Sequence, residues 1–117
     1  MSRGHVVLKR NAGSAELRVD ATRVGKDLLV TLVGGKAHVG AVALGGFHRR
    51  SFASVLTAPN HRDDIIAKEA ALRISKELRR SCVVVVGIHV HDASEGQVAE
   101  IVDASFSLVD ELIEALK

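Results

Sequence analysis

The chain has no tryptophan or tyrosine and only three phenylalanines, so aromatics make up 3% of it. That argues against the stacking platforms on which single-stranded nucleic acid is usually held. There is one cysteine, Cys82, so no internal disulfide can form. A lone thiol heading a valine run reads as a small buried hydrophobe. No apolar run reaches the roughly 20 residues of a membrane span. The start, MSRGHVVLKRN, lacks the apolar segment of a secretory signal. Charge of one sign is also scarce. The formal net charge is +2 and the arginines are scattered, which predicts no nucleic-acid patch. A cytoplasmic protein with neither nucleic-acid nor membrane partners is expected.

What is present suits one folded domain. The 117 residues are 47% hydrophobic and 26% charged, enough apolar side chains for a core. HVVLKR (5–10) can form a short strand. AELRVDATRV (15–24) alternates, with Leu17, Val19 and Ala21 on one side and Glu16, Arg18 and Asp20 on the other. Period two predicts a half-buried strand. LLVTLV (28–33), AHVGAVAL (37–44) and SFASVLT (51–57) read as further strands between glycine-marked turns, giving an antiparallel meander. From Asn60 the period changes. Ile66, Ala70, Ile74 and Leu78 fall four apart, flanked by Ala67 and Ala71, which predicts an amphipathic helix with Asn60 as its N-cap.

CVVVVGIHV (82–90) is apolar without alternation until its end, the pattern of a central strand covered on both faces. Ser94 and Gln97 fit a capping box. The helix they open carries Val98, Ile101, Val102, Ser105, Leu108, Val109, Leu112 and Leu116 on one stripe. The expected fold is α+β, a mixed and mainly antiparallel sheet in the order ββββ-α-β-α with two helices packed on it. The sheet face away from the helices holds apolar residues too. A second copy of the chain is the simplest cover, so a homodimer is expected.

Three polar clusters fall at predicted element ends. In GIHVHDAS (87–94), His89 and His91 are two apart and share a face of an extended chain. They stand at the carboxyl end of the central strand, just before a helix N-terminus, where ligands of open sheets collect and anions are favoured. Asp92 is placed to orient a histidine or hold a metal, or merely to cap. In GGKAHVGA (34–41), small residues surround His38 and leave room for a flat ligand. In NHRDD (60–64), His61 and Arg62 occupy a helix start where acids are the norm, and a bound anion would explain them. Asp63 and Asp64 obey the ordinary dipole rule. Arg49 and Arg50 are further candidates for phosphate contacts. His38, His48, His61, His89 and His91 are thus candidates to gather at one end of the sheet. Imidazoles suit transition metals, and His61, His89 and His91 are the candidate ligands, although the spacing matches no standard metal motif.

DLLVTLVGGKAHVGAVAL (27–44), HRDDIIAKEAA (61–71) and VVVVGIHVHDAS (83–94) together resemble the LpdD-like family of prenylated-flavin chaperones. The resemblance runs from about Glu16 to the C-terminus. It implies a carrier rather than a catalyst, one that binds prenylated flavin mononucleotide and assists its passage from a flavin prenyltransferase to a UbiD-type decarboxylase. Carried over by motif, it places Gly34, Gly35, His38, Gly40, His61, Arg62, Asp64, His89 and Asp92 around the cofactor. A divalent metal bridging phosphate and histidines is a further candidate. Two other readings stay open: a small metal-dependent enzyme built on the histidines, and a structural accessory subunit of a decarboxylase.

Overall fold

The computed structural model describes residues 4–58 and 63–117. Eight elements follow one another: β1 (His5–Ala12), β2 (Ala15–Val24), β3 (Asp27–Gly35), β4 (Ala41–His48), β5 (Arg50–Thr57), α1 (Asp64–Leu78), β6 (Cys82–His89) and α2 (Glu95–Leu116). The α+β class, the mixed sheet and the two helices are as the sequence predicts. The segment at 5–10 is a full strand, so five strands precede α1.

All six strands form one sheet in the order β1-β2-β3-β6-β4-β5. β1, β2 and β3 are the expected meander. It stops there, because β4 does not pair with β3. β6 lies between them, parallel to β3 and antiparallel to β4. The most apolar strand of the chain takes the middle of the sheet, where it removes most apolar surface from water.

Both helices pack on one face. α1 lies over β4, β5 and β6, and α2 over β1 and β2. Beneath them Leu17, Val19, Val30, Leu32, Val84 and Val86 are fully buried. Each contributes about 1.5–3 kcal/mol by leaving water. The stripe predicted for α1 is the one it buries: Ile66, Ala67, Ala70, Ala71 and Ile74. α2 buries Ile101, Ser105, Leu108, Val109, Leu112 and Ile113, while Val98 stays half exposed. Buried Ser105 needs no outside partner, since its hydroxyl donates to Ile101 O at 2.7 Å. Arg73 ties the helices together. Its guanidinium meets Glu69 and Asp110 and lies 4.7 Å from the centre of the Phe106 ring, a cation–π contact.

The expectation that β6 is covered on both faces is half met. Cys82, Val84 and Val86 are buried under the helices, but Val83 and Val85 on the other face are only partly covered. Among the described residues, no element lies on that outer face except one crossing segment.

Candidate functional site

The crossing segment is 36–40, which carries the chain from β3 to β4 over the outer face of β6. Lys36 N–H donates to His89 O at one edge of β6, and Gly40 N–H donates to Val86 O at the other, both at 2.9 Å. Between these anchors the backbone of His38 rests on Gly87. A Cβ on Gly87 would stand 1.4 Å from His38 O, so only glycine allows this approach.

The segment brings His38 to the carboxyl ends of β3 and β6. Its Nδ1 lies 3.1 Å from Lys36 O, and its Nε2 lies 3.4 Å from Asp63 Oδ2. The His89 ring stands edge-on to it, with centroids 6.2 Å apart, within the range of favourable aromatic contact. Asp63 is buried. It precedes α1 but makes no side-chain cap to that helix. Its Oδ1 instead accepts from Ile88 N–H at 3.4 Å. One carboxylate therefore joins the start of α1, the end of β6 and the crossing segment.

The glycines serve this packing instead of opening a wall for a ligand. A Cβ at Gly34 would meet Leu17, one at Gly35 would meet His89 O, and one at Gly40 would meet the Asp63 carboxylate. The space that the small residues of 34–41 leave is filled by the chain's own atoms. The open volume lies beside them. A depression of about 470 Å³ is lined by Ser14, Gly35, Lys36, His89, Val90 and His91, within the range of small-molecule pockets. It offers an ammonium and two imidazoles on a rim next to apolar contacts.

The other predicted residues fall variously. His91 and Asp92 are exposed and lie 3.2 Å apart. Asp92 turns the chain from β6 to α2 in the left-handed region, φ 53°. Ser94 accepts from Gln97 N–H as expected, but the Gln97 amide does not close the capping box. It donates to Ser14 Oγ at 2.8 Å, fastening α2 to the β1–β2 turn. Asp64 faces a separate depression with Val55, Thr57 and Lys68. His48, Arg49 and Arg50 do not join His89, since β4 and β6 are antiparallel and place them at the opposite end of the sheet. Asn60, His61 and Arg62 lie outside the described residues. Among the described residues, no three His, Cys, Asp or Glu side chains stand where they could hold a metal.

Sequence reasoning missed Asp63, Lys36 and Gly87. Gly87 carried a signal, a lone glycine inside a β-branched run, which marks close backbone approach. Asp63 gave none beyond its place at a helix start. Cys82 is the buried hydrophobe expected. Burial pushes its thiol up to about 11.

The comparisons with known proteins bear on this geometry. A family model described as the prenylated flavin chaperone LpdD-like domain matches residues 11–117. The chain belongs to this family. The description gives LpdD-like proteins a chaperone role. Protein LpdD of Lactiplantibacillus plantarum is 30% identical over 82 residues, which are 65% of this chain and 59% of that protein. The match thus spans less than two thirds of the relative's own length. The fold is similar to a chain in the crystal structure of a novel chaperone complex for yeast 20S proteasome assembly. The TM-score is 0.64 at 19% identity, covering 98% of this chain and 100% of that one. That likeness concerns the fold alone.

Proposed function

We propose that this LpdD-like protein binds prenylated flavin mononucleotide at the carboxyl end of β3 and β6. It then hands the cofactor from a flavin prenyltransferase to a UbiD-type decarboxylase, as a carrier without catalytic chemistry of its own. The observation that carries the reading is the meeting of His38 and His89, beside buried Asp63, in a chain of the prenylated-flavin chaperone family.

The residues present fit such a ligand in kind. Lys36, His89 and His91 on the rim of the depression suit a phosphate through charge-assisted hydrogen bonds. Ala15 and Val90 in the same lining suit part of a flat ring. Gly34, Gly35 and Gly40 act indirectly, by letting the backbone close up so that His38 and His89 stand together. Asp92 contributes by turning the chain after His91. His61 and Arg62 precede Asp63 in the chain and are kept as candidates for the phosphate. The metal reading, with His61, His89 and His91 as ligands, draws no support from the described residues.

The test is an anaerobic titration with reduced prenylated flavin mononucleotide, with plain flavin mononucleotide as control, followed by transfer to an apo-decarboxylase. Tight binding that prefers the prenylated form is expected. His89→Ala should weaken it about tenfold or more, the loss of one charge-assisted hydrogen bond. Its melting temperature should barely move, since His89 is exposed. Absence of binding, or unchanged affinity in both His38→Ala and His89→Ala, would refute the site.

A further inference from the structure

The outer face of the sheet divides into two halves of different character. On β1 and β2 it carries His5, Lys9, Glu16, Arg18 and Asp20, and Asp20 accepts from His5 at 2.6 Å and from Arg18 at 2.7 Å. On β3, β6, β4 and β5 it is apolar. The register puts Leu29 beside Val83, Val83 beside Leu44, Val85 beside Val42 and Val42 beside Leu56, all facing away from the helices. Leu29, Leu44, Phe52 and Leu56 are 39%, 53%, 51% and 79% exposed. No charged residue occupies this face from 29 to 33, 42 to 46, 52 to 56 or 83 to 87.

We infer that this half-face is the seat of a second copy of the chain, sheet packed on sheet. Two arguments select that occupant. The first is charge. A partner of another kind normally meets a surface through charges arranged to complement it, and the centre of this half-face offers none, with Asp27 and Arg50 only at its margins. A face uncharged at its centre meets its own copy without like-charge repulsion there, as a two-fold interface requires. The second is area and shape. The exposed parts of Leu29, Leu44, Phe52 and Leu56 amount to roughly several hundred Å², the size of the largest apolar patch of ordinary monomers. That area approaches the roughly 800 Å² that each partner of a standard interface contributes. Flat sheet faces bury such surface by stacking about 10 Å apart.

The copy also bears on the proposed flavin site, a consequence that rests on the reading above. Along β6 the outer row runs Val83, Val85, Gly87, His89, so the patch leads directly to the site. The crossing segment stands one chain layer above this floor and carries Val39, 63% exposed. A copy seated on the floor abuts that step and walls the His38–His89 cluster from its outer side.

The experiment is sedimentation equilibrium on the apo-protein over a range of concentrations, without flavin, so its outcome is independent of cofactor binding. The expected result is a dimer whose dissociation constant rises about 100-fold in Leu44→Lys, tenfold for each copy forced to bury an unpaired ammonium. Ile65→Lys, on an exposed apolar residue of α1 (60% exposed), should leave the dimer intact. If Leu44→Lys does not fold, Leu56→Lys on the edge strand β5 makes the same test at a more exposed position. Labelling by diethyl pyrocarbonate reads the second part: His89 should react faster in the lysine monomer than in the wild-type dimer. A wild-type monomer at all concentrations, or a dimer indifferent to both lysines, would overturn the interface. Equal His89 labelling would overturn the walling of the site.

Discussion

Replacing Gly87 by alanine tests the feature on which both topology and site depend. An added Cβ would stand 1.4 Å from His38 O and 2.4 Å from His38 C. Ordinary contact needs about 3.4 Å, so the crossing segment must lift by about 2 Å. That displacement breaks Lys36 N–H to His89 O and Gly40 N–H to Val86 O, at about 1 kcal/mol each. Misfit in the remaining packing adds about 1–3 kcal/mol. The loss should be about 3–5 kcal/mol, which for a domain of this size lowers the melting temperature by roughly 10–25 °C. Thermal and urea unfolding followed by circular dichroism would measure it. Gly96→Ala is the control. A Cβ there meets only Ser94 Oγ at 3.9 Å, and alanine favours a helix by up to about 1 kcal/mol. A Gly87→Ala protein within about 1 kcal/mol of wild type would refute the seating of the crossing segment on β6.

Substitutions at three further positions and one labelling experiment probe other parts of the molecule. Asp63→Ala should cost about 1–3 kcal/mol by leaving Ile88 N–H without its acceptor, while Asp63→Asn, which keeps an oxygen, should cost less; equal urea midpoints for the two would count against the hydrogen bond. Cys82, with its thiol pushed up to about 11 by burial, should resist iodoacetamide at about pH 8 in the folded protein and react readily in urea. Mass spectrometry showing equal rates would mean that β6 is not covered by α1. Burial tends to raise the Asp20 carboxyl, but hydrogen bonds from Arg18 and His5 outweigh it and hold the group below its ordinary value. The stabilisation is therefore present above the ordinary carboxylate value and is lost as pH falls through the lowered one. Asp20→Asn should flatten the acid limb of stability by less than about 1 kcal/mol, visible as a smaller difference between urea midpoints near pH 5 and pH 3. Val84→Asp should unfold the domain, since Val84 is fully buried and a lone charge there has no partner; a cooperative melt near that of wild type would contradict the burial.

Periodicity was legible wherever one face of an element alone met the core. The stripe of α1 and the alternation of β2 follow directly from side-chain spacing, and Ser94 announced the start of α2 by its hydroxyl. The polar residues His38 and His89 were legible as candidates because His38 stands among small residues and His89 ends an apolar strand. Their gathering was expected together with that of His48, and the exclusion of His48 was not legible. It depends on β6 entering between β3 and β4, and no local pattern in 27–48 records that a strand from 34 residues downstream will separate them.

The sequence by itself therefore determined the class of fold, the identity and facing of each amphipathic element, and the motifs that resemble the family. Those properties are local, set by side-chain spacing and by the chemistry of a few adjacent residues. Only the tertiary structure decided the strand order, the use of the glycines for backbone contact, the role of Asp63 and the separation of His48, Arg49 and Arg50 from the site. Each of those depends on a contact between segments distant along the chain. Such contacts form because the whole sheet minimises exposed apolar surface at once, and no stretch of sequence carries that balance alone.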